Sequence, residues 1–155
     1  MLPPFDIRIK QQGQRRQVLD ILRRKYVTLT PEEWVRQHFV NYLIAHKGYP
    51  KGLLANEVEL QVGEKRLRCD TLLYNKQLQP RMIIEYKAPD IEITERVFNQ
   101  IMAYNQQLHV DYLIMSNGHQ HFCCKWTMSK TSISFCPTSP VTTNCRFYIY
   151  FSSQA

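Results

Sequence analysis

The central sheet is predicted from two segments of the sequence, Arg68-Cys69-Asp70-Thr71 and Met82-Ile83-Ile84-Glu85-Tyr86-Lys87. Each predicts a β-strand, and the apolar start of the second is typical of a buried strand. Glu85 and Lys87 are two residues apart, so their side chains share one side of an extended strand. Charged groups beside a buried strand are costly unless they are paired or bind a metal. Two carboxylates, Asp70 and Glu85, that converge on one sheet would form an oxygen-rich site suited to Mg²⁺.

A helix is predicted before these strands, beginning at Thr30-Pro31-Glu32-Glu33. Thr30 can cap the helix, Pro31 suits the first helical position, and Glu33 would complete a capping box with Thr30. The helix should end before Gly48. Its apolar stripe consists of Val35, Phe39, Tyr42 and Leu43.

Further strands and a second helix are predicted after this first helix. They are a β-hairpin of Glu57–Val62 and Arg66–Tyr74 around Gly63-Glu64, a strand at Arg81–Tyr86, a helix from Thr94 to about Leu108, and strands at Asp111–Met115 and Gln120–Lys125 around an Asn117-Gly118 turn. The order α-β-β-β-α-β-β predicts an α/β domain with a mixed central sheet flanked by helices.

Charge divides the chain of 155 residues, with its formal net charge of +7, into three regions. Residues 1–28 carry seven basic and two acidic side chains, residues 29–124 carry ten and eleven, and residues 125–155 carry three and none. We therefore expect a basic N-terminal arm at residues 1–28, a domain at 29–125 and an atypical tail at 126–155. The spacing of Val18, Leu19, Ile21 and Leu22 predicts a short basic helix in the arm, which either is simply solvated or contacts phosphates.

Several classes of protein are disfavoured by the sequence. No run approaches the roughly 18 apolar residues of a membrane span, and the first residues lack the apolar core of a signal peptide. The five cysteines are odd in number and form no CxxC pair, which disfavours a zinc site or a disulfide framework. We therefore expect a cytoplasmic protein with no membrane partner.

These motifs, in this order, resemble the PD-(D/E)XK nuclease superfamily, and more narrowly the N-terminal nuclease domain of the restriction subunit of type I restriction enzymes. The resemblance covers roughly residues 29–124. It rests on Thr30-Pro31-Glu32-Glu33-Trp34-Val35-Arg36-Gln37, Arg68-Cys69-Asp70, Ile84-Glu85-Tyr86-Lys87-Ala88-Pro89, Gln100-x-x-x-Tyr104 and Asn117-Gly118. Cys69 stands where the name of the superfamily has proline. The resemblance implies a restriction-endonuclease-like αβββαβ core.

The resemblance also implies roles for individual residues. Asp70 and Glu85 would hold Mg²⁺, with Mn²⁺ as a substitute, and Lys87 would position or activate the attacking water. The family's first helix usually contributes a glutamate, for which Glu32 and Glu33 compete. We favour Glu32, which lies four residues before Arg36 on the face expected to pack inward, although both could simply be acids at the start of the helix. Arg36 would support the site.

Gln100 and Tyr104 are four residues apart and therefore share a helix face. In related nucleases such a pair lines the active site, and Gln100 would orient the water or the DNA backbone, with Tyr104 beside it. The alternative is an ordinary helix glutamine and a half-buried tyrosine. Asp70 could likewise merely pair with Arg68 or Lys87.

Together these expectations describe a Mg²⁺-dependent endonuclease-like hydrolase of phosphodiester bonds, acting on nucleic acid and most simply on DNA. The alternative is a non-catalytic nucleic-acid-binding or partner-docking module that retains the fold. No Gly-x-x-x-x-Gly-Lys-Ser/Thr phosphate loop is present, so we expect a stand-alone domain without a motor. A separately encoded motor or specificity subunit and a second copy in a homodimer are partners compatible with this reading.

The tail from residue 126 lacks acids and shows no clear periodicity. Reverse translation of residues 126–140 in the frame one nucleotide earlier permits a string, DYEQNKHQFLPYIP, that resembles the expected family ending. The hypothesis is that the tail is a frameshifted extension. The DNA sequence tests it, because a different string in that frame would eliminate the idea.

Overall fold

The computed structural model describes residues 2–62, 64–94, 97, 105 and 108–125 of the chain. The elements in this part have the bounds β1 Ile9–Gln12, β2 Arg15–Asp20, β3 Lys25–Thr28, α1 Pro31–Ala45, a 3-10 helix Lys51–Leu53, β4 Leu54–Val62, β5 Lys65–Tyr74, β6 Pro80–Tyr86, β7 Tyr112–Ser116 and β8 His121–Lys125. None of the helices among these residues combines the length and the apolar content that a membrane crossing needs.

Helix α1 begins where the sequence predicts. Thr30 Oγ1 accepts a hydrogen bond from the N–H of Glu33 at 3.0 Å, and Pro31 takes the first helical position. The other half of the capping box does not form, because the Thr30 N–H donates to the carbonyl of Thr28 at 3.1 Å. The Glu33 carboxylate is bound by two arginines and a glutamine instead. The predicted capping box is therefore right for Thr30 and wrong for Glu33.

The central sheet contains five strands in the order β4-β5-β6-β7-β8. Neighbouring strands are antiparallel except β6 and β7, which are parallel. A parallel pair requires a crossover connection, and within it Val97, Asn105 and Leu108 have helical conformation. Thr94 Oγ1 accepts a hydrogen bond from the Val97 N–H at 3.4 Å, as expected of a helix cap. The predicted α/β class and mixed sheet are confirmed.

Both faces of the central sheet are covered, because alternate side chains of a strand point to opposite faces. In β6, Met82 and Ile84 belong to a buried cluster with Val35 and Phe39 of α1. Ile83 belongs to a second buried cluster, which contains residues of β5, β7 and β8. Burial on both faces explains why the sequence of β6 is a continuous apolar run rather than an alternating one.

The turn between β7 and β8 places this part of the sheet against α1. Gly118 has φ 88°, and a Cβ atom there would lie 3.4 Å from Cγ2 of Val35. Asn117 Oδ1 accepts hydrogen bonds from the N–H groups of His119 and Gln120 at 3.0 and 2.8 Å. The Asn117-Gly118 turn is therefore confirmed, and its glycine suits the left-handed backbone, while a Cβ atom there would make ordinary contact with α1.

The N-terminal region is a three-stranded antiparallel sheet in the order β1-β2-β3, so the predicted basic helix is wrong. Gly13, with φ 58°, lies in the two-residue turn that joins β1 to β2. In β2 the fully buried residues are Val18 and Asp20, which are two apart. Asp20 is charged although its position in the strand is buried, so the sequence does not show the alternation of polar and apolar residues that is typical of a strand. The neighbouring apolar residues have a spacing that resembles that of a helix.

Two of the sequence predictions fall outside the described residues. Gln100 and Tyr104, the expected water- or backbone-orienting pair, are not among them. The same holds for the tail at 126–155, so its frameshift origin stays a prediction. The boundaries proposed at residues 28 and 125 also stay predictions.

Candidate active site

The backbone pairing between β5 and β6 stops at the two predicted metal ligands, Asp70 and Glu85. The pair Thr71–Ile84 sets a register that places Asp70 opposite Glu85 one position further on. There side chains replace the backbone bonds. The Asp70 N–H donates to Glu85 Oε1 at 3.3 Å, and the Tyr86 N–H donates to Asp70 Oδ2 at 2.9 Å. The structure therefore brings the Asp70 and Glu85 carboxylates side by side.

A third acid, Glu57, lies on the other side of Asp70. The neighbouring pairs of the β4–β5 ladder, Asn56–Thr71 and Val58–Cys69, place Glu57 opposite Asp70. Glu57 has φ 56°, an uncommon backbone conformation for a residue other than glycine. Strained backbone of this kind costs about 1–3 kcal/mol and clusters at functional sites. No motif in the sequence marks Glu57, although the predicted hairpin around Gly63-Glu64 fixes this register.

Arg36 joins the acids of this site into one network. Its guanidinium donates to Asp70 Oδ1 at 2.8 Å and to Glu33 Oε2 at 3.0 Å, and it also binds Glu57 Oε1. The Arg36 side chain is 4% exposed, so these ion pairs are shielded from water. Its Nε atom has no hydrogen-bond partner in the described part of the chain. Arg36 thus supports the site by fixing the position of the Asp70 carboxylate.

The Glu85 carboxyl is the most perturbed acid of the site. Burial, and then the negative charge of Asp70, raise the pKa of Glu85 to about 8, against the opposing effects of the Asp70 N–H and the Lys87 charge. Two adjacent carboxylates repel each other's charge, which favours a proton on one of them. A cation bound between the two carboxylates would replace that proton. Such competition between a cation and a proton is expected at a metal site.

Lys87 and Glu32 lie within electrostatic reach of the carboxylate pair, since Lys87 acts on Glu85 and Asp70 acts on Glu32. The charge of Lys87 acts on both Glu85 and Glu32. Burial and the charge of Asp70 raise the pKa of Glu32, and the charges of Lys87 and Arg36 oppose that rise. Within the described residues Lys87 forms no ion pair shorter than 4.0 Å.

Glu32 and Glu33 point to different partners. Glu33 is the more buried of the two, at 7% exposed, and its carboxylate accepts hydrogen bonds from Arg23, Arg36 and Gln37. The expectation that Glu32 is the inward-packing acid is therefore wrong. Glu32 is half-buried, and the charges that act on it include those of Asp70 and Lys87. Glu33 thus has a structural role, whereas Glu32 lies within the electrostatic reach of the site.

A buried chain of hydrogen bonds connects the site to the N-terminal sheet. Asn56 Nδ2 donates to Asp20 Oδ2 at 2.8 Å, and Thr71 Oγ1 donates to Asn56 Oδ1 at 2.6 Å. The Tyr86 hydroxyl donates to Thr71 Oγ1 at 3.0 Å. Thr71 follows Asp70 in the sequence and Tyr86 follows Glu85, so this series of hydrogen bonds ends beside both carboxylates. The N-terminal sheet therefore contributes, through Asp20, to the hydrogen bonds that support the site.

The residue types of this site fit a magnesium ion. Mg²⁺ is usually held by one or two carboxylates together with waters and substrate phosphates. Asp70 and Glu85 supply two, and among the described residues no three His, Cys, Asp or Glu side chains form a metal-binding group. Cys69 takes no part, because burial raises the pKa of its thiol to about 12. The two carboxylates alone would bind Mg²⁺ weakly.

The fold and the acidic site together define a nuclease-like domain of the restriction-enzyme kind. The family model of the type I restriction enzyme R protein N terminus matches residues 31–140. The chain belongs to this family. The match extends past the boundary that the sequence predicted at residue 125.

Comparison with solved structures finds a similarity to the crystal structure of the type IIG restriction endonuclease BpuSI. The two chains are 18% identical with a TM-score of 0.47, over 64% of this chain and 12% of that one. The match spans only a small part of the length of that enzyme. The comparison with curated proteins finds no match.

Proposed function

We propose that this domain hydrolyses phosphodiester bonds in DNA with the help of Mg²⁺. The observation that carries the proposal is the Asp70–Glu85 carboxylate pair, in which burial and the charge of Asp70 raise the pKa of Glu85. Membership of the restriction-enzyme family supports the choice of DNA as substrate. Mn²⁺ would substitute for Mg²⁺, because both prefer oxygen ligands.

Each residue of the site has a distinct role in this proposal. Asp70 and Glu85 would hold the ion, which when bound polarises the phosphate and lowers the pKa of a water. Lys87, with no ion-pair partner within the described residues, would counter the negative charge that develops on the phosphate. Glu32, whose pKa is raised, would accept a proton from the attacking water or hold that water in place. Gln100 and Tyr104 keep the orienting role that the family resemblance implies.

A cleavage assay with the purified full chain tests the proposal. Supercoiled plasmid is incubated with Mg²⁺, Mn²⁺ or a chelator, and nicked and linear products are measured. Asp70→Ala and Lys87→Ala should each lower the rate by at least about 100-fold. Glu92→Gln and Lys76→Ala, which change exposed residues outside the site, serve as matched controls and should leave the rate unchanged. Cleavage that survives both site variants would overturn the assignment.

A non-catalytic nucleic-acid-binding or partner-docking module is the second candidate function. It is favoured by one observation, that both oxygens of Asp70 already accept hydrogen bonds, from Arg36 and from the Tyr86 N–H. Calorimetric titration with Mg²⁺ separates the two candidates when it is run beside the cleavage assay. Metal binding that depends on Asp70 and Glu85 but gives no cleavage would favour the non-catalytic module.

Dependence on a further subunit is the remaining question about activity. We propose a separately encoded motor or specificity subunit as a partner, since the family is defined by the R protein of type I restriction enzymes. Affinity purification of the tagged chain from its native cells tests this. A chain that cleaves DNA alone and recovers no second subunit would contradict it, and size-exclusion chromatography with light scattering would show whether a homodimer forms.

A further inference from the structure

A cleft of about 550 Å³ lies between the N-terminal sheet and helix α1, and none of its residues belongs to the site around Asp70. Its walls come from four separate segments, namely the stretch before β1, the end of β2 with the turn after it, the middle of α1, and the 3-10 helix. The lining residues are Asp6, Ile7, Arg8, Leu19, Ile21, Arg24, Asn41 and Lys51.

The cleft is positively charged. Arg8, Arg24 and Lys51 are exposed, and none of them has an ion-pair partner within 4.0 Å in the part of the chain that the structure describes. Asp6 is the one acid of the lining, which leaves two net positive charges. Arg23, the neighbour of Arg24, differs sharply, because it is bound to both Asp20 and Glu33. Three cations without an ion-pair partner among the described residues therefore line the cleft, while Arg23 stabilises the fold.

The backbone at Arg24 gives a second reason to regard the cleft as functional. Arg24 has φ 55° in the turn between β2 and β3. Glycine or asparagine would adopt this conformation with less strain than arginine. Strain at a residue whose side chain lines a cleft is typical of a functional position.

We propose that this cleft binds the phosphate backbone of a nucleic acid, with Arg8, Arg24 and Lys51 contacting successive phosphates. Exposed cations on the rim of an open cleft suit a strand that passes through it, since such contacts need little burial and are independent of sequence. A free nucleotide would instead need a site that encloses most of its surface. Asn41 and the half-buried Ile7, Leu19 and Ile21 form the floor against which the sugars would lie.

The proposal predicts a binding surface separate from the carboxylates that would carry out hydrolysis. Binding is therefore measured without divalent metal, so that its failure and the failure of the hydrolysis proposal are distinguishable. Fluorescence anisotropy of a labelled duplex DNA is recorded with the full chain over a range of NaCl concentrations. The double variant Arg24→Gln/Lys51→Gln is compared with Lys76→Gln/Lys125→Gln, which removes the same charge from exposed residues outside the cleft.

The cleft variant should bind the duplex about tenfold more weakly, and the slope of log K against log salt should fall by about 2, since two phosphate contacts are lost. The control variant should stay within about twofold of the unchanged chain. Equal weakening by both variants would overturn the proposal, since only net charge would then matter. Thermal unfolding of both variants checks that the fold is retained.

Two competitors distinguish the occupant. A mononucleotide at the same phosphate concentration should displace the labelled duplex poorly, and effective displacement would show a small-phosphate site instead. Labelled poly-glutamate should bind more weakly than DNA. Poly-glutamate binding that is as tight, and equally sensitive to Arg24→Gln/Lys51→Gln, would show an acidic protein as the partner and would contradict the proposal.

Discussion

Asp70 and Glu85 lie opposite each other at the point where strands β5 and β6 exchange backbone ladder bonds for bonds to their own acidic side chains. This exchange brings two carboxylates together at one place. A third acid, Glu57, lies across Asp70 on the neighbouring strand. The cost of gathering these charges is offset by Arg36 on one side and, in our proposal, by a metal ion on the other.

The Glu85 carboxyl should make the metal-free domain less stable as pH rises. Its pKa lies well above that of an unfolded glutamate, so the folded state binds a proton that the unfolded state has lost. The free energy of unfolding should therefore fall by at least about 1 kcal/mol between about pH 7 and pH 8.5. Urea denaturation in a chelator measures this fall.

Two comparisons test the assignment of this pH dependence. Glu85→Gln is uncharged at both pH values and should show a flatter profile and greater stability at the higher pH. Mg²⁺ should stabilise the unchanged chain at that pH by binding its folded state, and should not stabilise Glu85→Gln. The same pH profile in both proteins would show that Glu85 does not retain a proton.

Replacement of the buried arginine should unfold the site. Arg36→Met leaves three carboxylates, those of Glu33, Glu57 and Asp70, without their shared cation, and should lower the free energy of unfolding by about 3 kcal/mol or more. Arg68→Met is the matched control, because Arg68 also binds Glu57 but its side chain is 68% exposed. It should cost less than about 1 kcal/mol. Equal costs in denaturant titrations would contradict the central role of Arg36.

Replacement of the buried Asp20 tests whether the N-terminal sheet is part of the domain. Burial raises the pKa of Asp20, but hydrogen bonds from Arg23 and Asn56 outweigh it and hold that pKa below its usual value. Asp20→Ala should cost about 3 kcal/mol, since it leaves buried donors unpaired. The stability that Asp20 gives is present at neutral pH and should disappear as pH falls through the acid range. The exposed Asp6→Ala is the control.

Removal of residues 2–28 extends the same test to the whole sheet. If the sheet supports the site, the truncated chain should lose cooperative unfolding. A truncated chain that unfolds with unchanged stability would show instead that residues 1–28 are a separate arm, as the sequence alone predicted.

The sequence predicted those parts of the fold whose signals lie in residues close together in the chain. Thr30-Pro31 marks the start of α1, and the apolar run before Glu85 marks a buried strand. The N-terminal sheet was missed because Asp20, a charged residue, fills a buried strand position that depends on the distant partner Asn56. Such a partner becomes visible only after the chain has folded.

The same distinction between local signals and distant partners applies to the candidate site. Asp70, Glu85 and Lys87 could be selected from spacing and family resemblance. Glu33 was less predictable, because its burial depends on Arg23 and Arg36 rather than on its position in the helix.

The strained turn residue of the basic cleft should show a conflict between stability and binding. Arg24→Gly relieves a left-handed backbone and should raise the free energy of unfolding by about 0.5–1 kcal/mol, after allowance for the greater freedom of glycine in the unfolded chain. The same change removes a phosphate contact and should weaken duplex DNA binding. Leu78→Gly is the matched control, since Leu78 has φ 58°, is 69% exposed and lies outside the cleft. It should gain similar stability with DNA affinity unchanged. If both variants gain stability and both keep full affinity, Arg24 holds its strained conformation for a reason other than nucleic-acid binding.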